Sequence, residues 1–335
     1  MKYKILEILK NNKGNFISGE LLSSELGVTR TTIWKHIKDL KVEGYNIESS
    51  SKKGYVLVDI PDILNAYEIG YNLHTECLGK EIYCLQSVDS TNIYSRKIAH
   101  EGCKDGTVVV ADLQTAGKGR LGRAWDSKDR KGIWMSVVLK PAILPSKVQV
   151  ITLAASIAVV SGIMQAAGIS TGIKWPNDII LDGKKVCGIL TEMSSELDRV
   201  NHIILGIGLN VNHDEEDFPP ELRGKATSLK IHKLSEGISG KWFRRSDIIK
   251  GILENLEESY NYIKDGRTDV LLEKWREFSI TLGKEIRVVS ENGEYRGIAL
   301  GITEDGKLVV KGEDGATHQF ISGEVSVRGM DCYVE

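Results

Sequence analysis

Two capped helical segments around a glycine turn, a succession of strand-like runs between residues 81 and 211, and short strands after residue 282 separated by turns predict an α+β protein. Three domains are expected. They are an N-terminal winged helix-turn-helix (1–62), a central mixed β-sheet with helices (63–281) and a small C-terminal β-barrel of SH3-like size (282–335). A chain of 335 residues is long enough for that division and for a well-buried core.

The composition is 41% hydrophobic and 27% charged with a net charge of -2, as for an ordinary soluble globular protein. No apolar run is expected to reach the roughly 20 residues that span a bilayer. The lysine-bearing start, Met1 to Lys10, leads into helical periodicity and not into a signal-peptide block. A cytoplasmic protein with no membrane role is therefore expected. Cys77, Cys84, Cys103, Cys187 and Cys332 are odd in number and lack zinc or redox spacing, which implies reduced, mostly buried thiols and no metal site. From Met1 to Val58, ten Lys and Arg against six Asp and Glu give +4, leaving -6 for the rest. A mildly basic head on an acidic body suits a head that meets phosphates.

In the head, Ile5, Leu6, Ile8 and Leu9 suit one apolar face of a first helix. Ser18 is placed to cap a second, with Leu21, Leu22 and Leu26 inward and Gly27 ending it. Thr29 can cap a third helix, whose Ile33, Ile37 and Leu40 recur at i, i+4, i+7. Helix, glycine turn, helix is the helix-turn-helix pattern. The outward residues of the third helix are Arg30, Thr31, Thr32, Lys35 and Lys38, with His36 nearby. Short hydroxyls and long cations at that position suit base edges and phosphates. Tyr45 to Ile47 and Gly54 to Leu57 read as two short strands around Glu48 to Lys53, a wing with Lys52 and Lys53 at a basic tip. Operator DNA is the partner this implies; the bland alternative is a small protein-contact domain with a solvated charged face. Trp34 either braces the core or touches DNA. Pro61 marks the boundary, and Asp62 can cap the next helix.

In the body, strands are expected over Glu81–Leu85, Thr107–Asp112, Ile133–Lys140, Gly172–Leu181, Lys185–Glu192 and His202–Val211, with a long buried helix over Ser146–Ala167. Strands in succession with few helices argue for a largely antiparallel sheet. Gly117 to Gly122 matches GxGxxG after a strand, but the polar, turn-rich stretch that follows opens no helix, so a dinucleotide fold is rejected. No Lys-Ser or Lys-Thr closes it as a P-loop. Read physically, Gln114 to Arg123 is a loop with three cations, Lys118, Arg120 and Arg123. Its glycines let backbone N–H groups approach a phosphate or activated carboxylate, unless it is simply a mobile surface loop. In Lys174-Trp175-Pro176-Asn177-Asp178 the lysine ends an alternating strand and could meet a carboxylate or α-phosphate; an exposed strand lysine is the alternative. From Ile203 to Asn212, period two sets Ile203, Leu205, Ile207, Leu209 and Val211 on one face and Gly206, Gly208, Asn210 and Asn212 on the other. A glycine and asparagine face suits a flat ligand such as adenine.

Ser90-Thr91-Asn92, Gly117 to Arg123, Lys174 to Asp178, Lys185 to Leu190 with its Gly188, and Gly206 to Asn210 occur in one order. That set, with the head before it, resembles the bifunctional biotin–protein ligases that also repress biotin operons. The likeness covers nearly the whole chain and implies a class II synthetase-like catalytic fold. It further implies that biotin and ATP, with Mg²⁺, give biotinyl-5'-AMP and pyrophosphate, and that biotin then passes to a lysine of a biotin carboxyl carrier protein. Carried over by motif, Ser90, Thr91, Asn92 and Gly188 border biotin. Gln114, Lys118, Gly119 and Arg120 belong to the loop that closes on it. Arg120 and Lys174 are the catalytic cations. Arg123, Asn177 and Asn210 lie on the nucleotide side, and Asp214 to Lys225 resembles the segment that orders over adenine. Thr29, Arg30, Thr31, Thr32, Lys35, Lys52 and Lys53 are the DNA-facing set. The better-known loop has arginine where Lys118 stands and another cation where Leu121 stands. Lys118 keeps charge without the bidentate fork; Leu121 has no electrostatic role.

The tail reads as strands Glu285–Val289, Tyr295–Ile302, Leu308–Lys311, His318–Phe320 and Val325–Val327, with turns at Glu291–Gly293 and Glu304–Gly306. Two helices, Ser246–Lys264 and Asp269–Glu277, precede it. A lipoate-type ligase and a ligand-sensing transcription factor without catalysis are the competing readings. A homodimer formed with biotinyl-AMP bound is expected, because one winged helix offers too small a patch for tight operator binding.

Overall fold

The structure, a computed structural model, describes residues 1–238, 240, 242–290, 293–322 and 325–329. Cys332 and the turn residues Glu291 and Asn292 lie outside them. The chain divides into two compact units, Met1–Glu68 and Ile69–Glu335.

In the first unit, α1 (Lys2–Asn11) buries Ile5, Leu6 and Leu9. In α2 (Gly19–Leu26) the Ser18 hydroxyl accepts from the Leu21 N–H at 3.0 Å, and Gly27, at φ 65°, ends the helix. Leu21 does not face inward; it is 54% exposed while Leu22 is fully buried. Leu22 and Leu26 share a face at i, i+4, and Leu21 lies about 100° away from Leu22. Helix α3 (Arg30–Val42) is capped by Thr29 and buries Ile33, Ile37 and Leu40. Strands β1 (Asn46–Ser50) and β2 (Gly54–Asp59) pair antiparallel from Asn46↔Asp59 to Ser50↔Gly54, so Glu48 to Ser50 belong to the strand and only residues 51–53 form the tip. A Cβ on Gly54 would stand 2.1 Å from the Ile17 carbonyl oxygen. Glycine is what lets this wing close on the turn before α2.

The unit extends six residues past the expected limit at 62. Asn65, not Asp62, accepts the Glu68 N–H at 2.7 Å as α4 (Ala66–Gly70) begins. The Glu68 carboxylate is 1% exposed, lies 2.7 Å from the Lys10 ammonium and accepts the Tyr45 hydroxyl at 2.8 Å. Tyr67 stacks on Tyr3 with ring centroids 4.4 Å apart. Charge pairing and stacking therefore bring Glu68 into the head's core and set Tyr67 against it.

The second unit is built on a seven-stranded sheet. Its strands and helices are, in chain order, β3 (Ile82–Val88), α5 (Thr91–His100), β4 (Val108–Gln114), β5 (Gly132–Leu139), α6 (Val148–Ala167), β6 (Gly172–Lys174), β7 (Asp178–Leu181), β8 (Lys184–Ser195), β9 (Val200–Asn210), α7 (Leu229–Ser235), α8 (Arg245–Lys264) and α9 (Thr268–Phe278). The sheet order is β3-β4-β5-β9-β8-β7-β6, with only β3 and β4 parallel. The strand expected over Gly172–Leu181 is two strands of a hairpin, because Trp175-Pro176-Asn177 turns the chain and the Trp175–Pro176 bond is cis. Helix α6 is apolar on every side and long enough to cross a membrane by composition, contrary to the sequence expectation. Burial explains it: residues 150–160 are all buried. Gly162 lets α6 meet α8 closely, since a Cβ there would stand 2.6 Å from the Ile252 amide nitrogen.

After α9, β10 (Glu285–Ser290), β11 (Gly293–Ile302), β12 (Leu308–Gly312), β13 (Thr317–Phe320) and β14 (Val325–Gly329) form an antiparallel sheet in the order β13-β12-β11-β10-β14. Among the described residues its end strands β13 and β14 are not paired with each other. It packs within the second unit: the buried Trp175 donates its backbone N–H to Thr281 at 2.9 Å and its indole N–H to the Gly306 carbonyl at 3.2 Å. Cys77, Cys84, Cys103 and Cys187 are free thiols, and burial pushes Cys84 up to about 12.

Glu68→Gln should loosen the head by about 3 kcal/mol, because removing one partner of a buried pair costs far more than an exposed bridge is worth. Hydrogen exchange of α1 and α3 amides in the full chain measures it. Exchange unchanged from wild type would mean that Lys10 does not depend on this carboxylate.

Candidate functional site

The sheet of the second unit has two unlike faces. Residues paired across neighbouring antiparallel strands point to the same side, so Ser136↔Gly206↔Leu190 and Trp134↔Gly208↔Gly188 run across one face. Helix α5 closes over that side. A Cβ on Gly206 would stand 2.3 Å from Asn92 Oδ1, and one on Gly208 2.6 Å from the Trp125 indole nitrogen. Gly188, directly opposite Gly208, would place its Cβ 2.9 Å from the same indole. The glycine face is therefore the floor of a cavity of about 620 Å³. In this structure Trp125 lies on it, where the sequence pattern suggests adenine.

At one end of the cavity a polar network fixes α5 to the sheet. The Gln114 carbonyl accepts from the Thr91 N–H at 2.8 Å and from its hydroxyl at 3.0 Å, while the Gln114 amide donates to Ser127 at 2.9 Å. The Ser136 hydroxyl lies 2.6 Å from Asn92 Oδ1 and 2.7 Å from Thr91 Oγ1. Asn92 donates to Glu192 at 2.7 Å, and Arg96 holds the other Glu192 oxygen at 2.5 Å. Ser90, Thr91 and Asn92 are buried polar groups, and such groups persist where their hydrogen bonds are met. Ser136 escapes sequence reasoning because it sits in a strand buried along its whole length, and Glu192 because it sits toward the more exposed end of a long strand.

Two cations converge on the same space. Lys174, at the end of β6, is 4% exposed and lines the cavity, so the exposed-strand alternative does not hold. Arg120 also packs inward and donates to Asn177 Oδ1 at 3.0 Å. Burial, the largest influence, lowers its pKa, with Asp178 opposing. Lys118 and Arg123 are exposed at the rim. The segment between them is closed by Gly119 N–H to Arg123 O at 2.8 Å and contains one 3₁₀ turn, with Leu121 at φ 55°. Asn177 also donates to the Ile189 carbonyl at 2.7 Å, and Asn210 to the Thr227 carbonyl at 3.1 Å. Both asparagine amides are spent on holding backbone beside the cavity. Among the described residues no group of three or more His, Cys, Asp or Glu side chains is placed to hold a metal ion.

The segment after β9 carries a second aromatic set. His213, 1% exposed, stacks on Phe218 at 5.3 Å and meets the edge of Trp134 at 5.8 Å. Burial pushes the imidazole down to about 4, so it is neutral at pH 7. Phe218 lines the cavity.

In the first unit, Arg30, Thr31, Lys35 and Lys38 are exposed on α3, and Lys52 and Lys53 at the wing tip. Thr29 and Thr32 are engaged with each other: the Thr29 hydroxyl accepts the Thr32 N–H at 3.2 Å, with the two hydroxyls 2.9 Å apart. Trp34 is 56% exposed with the Lys38 ammonium 5.7 Å from its ring centre, so it does not brace the core.

Comparison with known proteins agrees in extent with these parts. The profile of the HTH domain matches residues 2–56, that of the Biotin/lipoate A/B protein ligase family residues 83–210, and that of the Biotin protein ligase C terminal domain residues 281–328. The chain is 42% identical over 316 residues to the bifunctional ligase/repressor BirA of Bacillus spizizenii, covering 94% of this chain and 95% of that one. Identity to the Escherichia coli protein of the same name is 27%, over 98% and 97%. Among solved structures, the biotin protein ligase of Aquifex aeolicus in complex with biotin and ATP is 30% identical, with a TM-score of 0.63 over 75% of this chain and 99% of that one.

Gly206→Ala should force Asn92 off the sheet and cost about 1–3 kcal/mol, as overpacking does, a drop of several degrees in Tm. Gly301, where a Cβ meets nothing within 4 Å, supplies the control. Equal melting of Gly206→Ala and Gly301→Ala would show that the floor tolerates a side chain.

Proposed function

The chain belongs to the family of bifunctional biotin ligases that also act as repressors, and we propose from that premise how its parts divide the work. It is an ATP-dependent biotin–protein ligase that forms biotinyl-5'-AMP and transfers biotin to a lysine of a biotin carboxyl carrier protein. It is also a DNA-binding repressor. The observation that carries the catalytic assignment is the inward convergence of Arg120 and Lys174 on a cavity floored by glycine.

A carboxylate oxygen of biotin attacks the α-phosphorus of ATP, and the bond to pyrophosphate breaks. Both reactants are anions, so their approach in a cavity of low dielectric is strongly opposed. Cations fixed in place before reaction offset that repulsion and stabilise the charge that builds at the phosphorus. Lys174 is the cation at the reacting carboxylate and α-phosphate. Arg120 shares that role and closes the rim. ATP enters as its Mg²⁺ complex, the ion carried by the phosphates. In the second step the carrier lysine's amine attacks the acyl carbon and AMP leaves. No side-chain nucleophile on this chain is required.

Ser90, Thr91, Asn92, Gln114 and Gly188 border the biotin end. Lys118 and Gly119 belong to the segment that covers it, and Arg123 to the nucleotide side. Asn177 and Asn210 serve that side through the backbone they hold. In the head, Arg30, Thr31, Lys35, Lys52 and Lys53 meet operator DNA, while Thr29 and Thr32 set the start of the recognition helix. Paired half-sites call for a symmetric homodimer. The biotinyl-AMP-bound form is the one that pairs, and the adenylate acts as corepressor through its higher affinity for the dimer. Residence in the cytoplasm follows from carrier and operator both being reached there.

Lys174→Ala should slow adenylate formation by about 10²-fold or more, the scale of losing one electrostatic stabiliser. Burst kinetics of pyrophosphate release, with biotin supporting the wild-type burst and lipoate failing to, measure it. A variant rate within twofold of wild type would reduce Lys174 to a scaffold residue.

A further inference from the structure

The segment from Thr115 to Lys131, which carries the rim cations, ends where β5 begins. The segment from His213 to Lys225 starts just after β9. Because Gly132 pairs with Asn210, the end of one segment and the start of the other emerge side by side, and the Asn212 N–H donates to the Lys131 carbonyl at 2.7 Å. The Lys131 side chain then crosses the gap, its ammonium 3.2 Å from Asp214 and 3.0 Å from Asp217. Asp217 accepts the Asp214 N–H at 2.8 Å, and Lys230 approaches Asp214 at 2.6 Å. Two cations and two carboxylates form a neutral hub in which only Lys131 comes from the first segment. Lys131 is raised above the ordinary lysine range, with the hydrogen bonds to Asp217 and Asp214 outweighing burial, the largest single influence. Beneath the hub, the Trp134 indole donates to the Lys128 carbonyl at 3.2 Å and touches His213, which stacks on Phe218.

We propose that Lys131 is a positioning residue that couples order at the biotin end of the cavity to order at the nucleotide end. The proposal rests on the ligase reading above. Biotin that settles the rim segment fixes Lys131, and Lys131 fixes Asp214 and Asp217 at the root of the other segment. ATP acts in the reverse direction through the same bonds, since linkage between two sites is reciprocal. The bridge is half-exposed, so salt should weaken it.

Limited trypsin digestion of the full chain tests this, because both segments carry exposed cleavage sites: Lys118 and Arg123 in the first, Arg223 and Lys225 in the second. In wild type, biotin alone should slow cleavage at all four by about fivefold or more, the lower range of typical coupling. In Lys131→Met, biotin should still protect Lys118 and Arg123 but no longer Arg223 and Lys225. Lys131→Arg should restore protection, and Asp217→Asn should reproduce the loss from the other side of the bridge. Wild-type protection of Arg223 and Lys225 persisting in Lys131→Met and Asp217→Asn would overturn the coupling, as would its absence in wild type. Failure of biotin to protect even Lys118 and Arg123 in wild type would instead overturn the site reading beneath it.

Discussion

The pairing of Gly188 with Gly208 across β8 and β9 is the constraint on which the catalytic unit depends. Side chains alternate strictly along a strand, so a slip of one residue would put Ile207 and Ile189 on the floor and turn glycines into the core. The same register sets Ser136 beside Gly206, which places the Asn92 network at one end. It sets Gly132 beside Asn210, which brings the two cavity segments together. Burial on the far face enforces it: Ile203, Leu205, Ile207 and Leu209 are all at most 2% exposed.

On that floor, electrostatics and water exclusion act together. A flat surface without side chains lets a planar group lie against backbone, and Trp125 shows that an indole fits there. The indole nitrogen itself lies over Gly208, 2.6 Å from where a Cβ there would stand. Burial lowers the pKa of Arg120: the cation is already partly stripped of water before any anion arrives, so its field is less screened at the reacting atoms.

Much of this was legible in the sequence, and the failures are instructive. The caps at Ser18 and Thr29, the glycine stop at Gly27 and the alternation from Ile203 to Val211 reflect local rules that the structure obeys. Helix α5 was missed because its inward positions are Thr91, Asn92, Ser95, Ile98 and Ala99; three of the five are polar, so the buried face does not read as an apolar stripe, and Thr91 and Asn92 line the cavity. The hairpin at Trp175-Pro176-Asn177 was hidden because the strand before it is only three residues long and the apolar run Ile179 to Leu181 after it continues the strand-like composition. That Arg120 packs inward could not be read locally, because the acceptor that holds it, Asn177, comes from the distant β6–β7 turn. Contacts of that range, like Glu192 with Asn92 or Lys131 with Asp217, leave no local trace.

Placing a ligase and a repressor on one chain has a chemical logic. Biotinyl-AMP is at once the intermediate that carrier protein consumes and, in the proposed account, the corepressor. Carrier awaiting biotin drains it; carrier already biotinylated lets it accumulate. The measurement that tests this link most directly is footprinting on a palindromic site that the protein itself selects from random duplexes, run beside sedimentation, with and without biotin plus ATP. The account predicts dimers and tighter occupancy only when both ligands are present. DNA affinity and oligomeric state indifferent to the adenylate would contradict it, leaving two functions merely tethered.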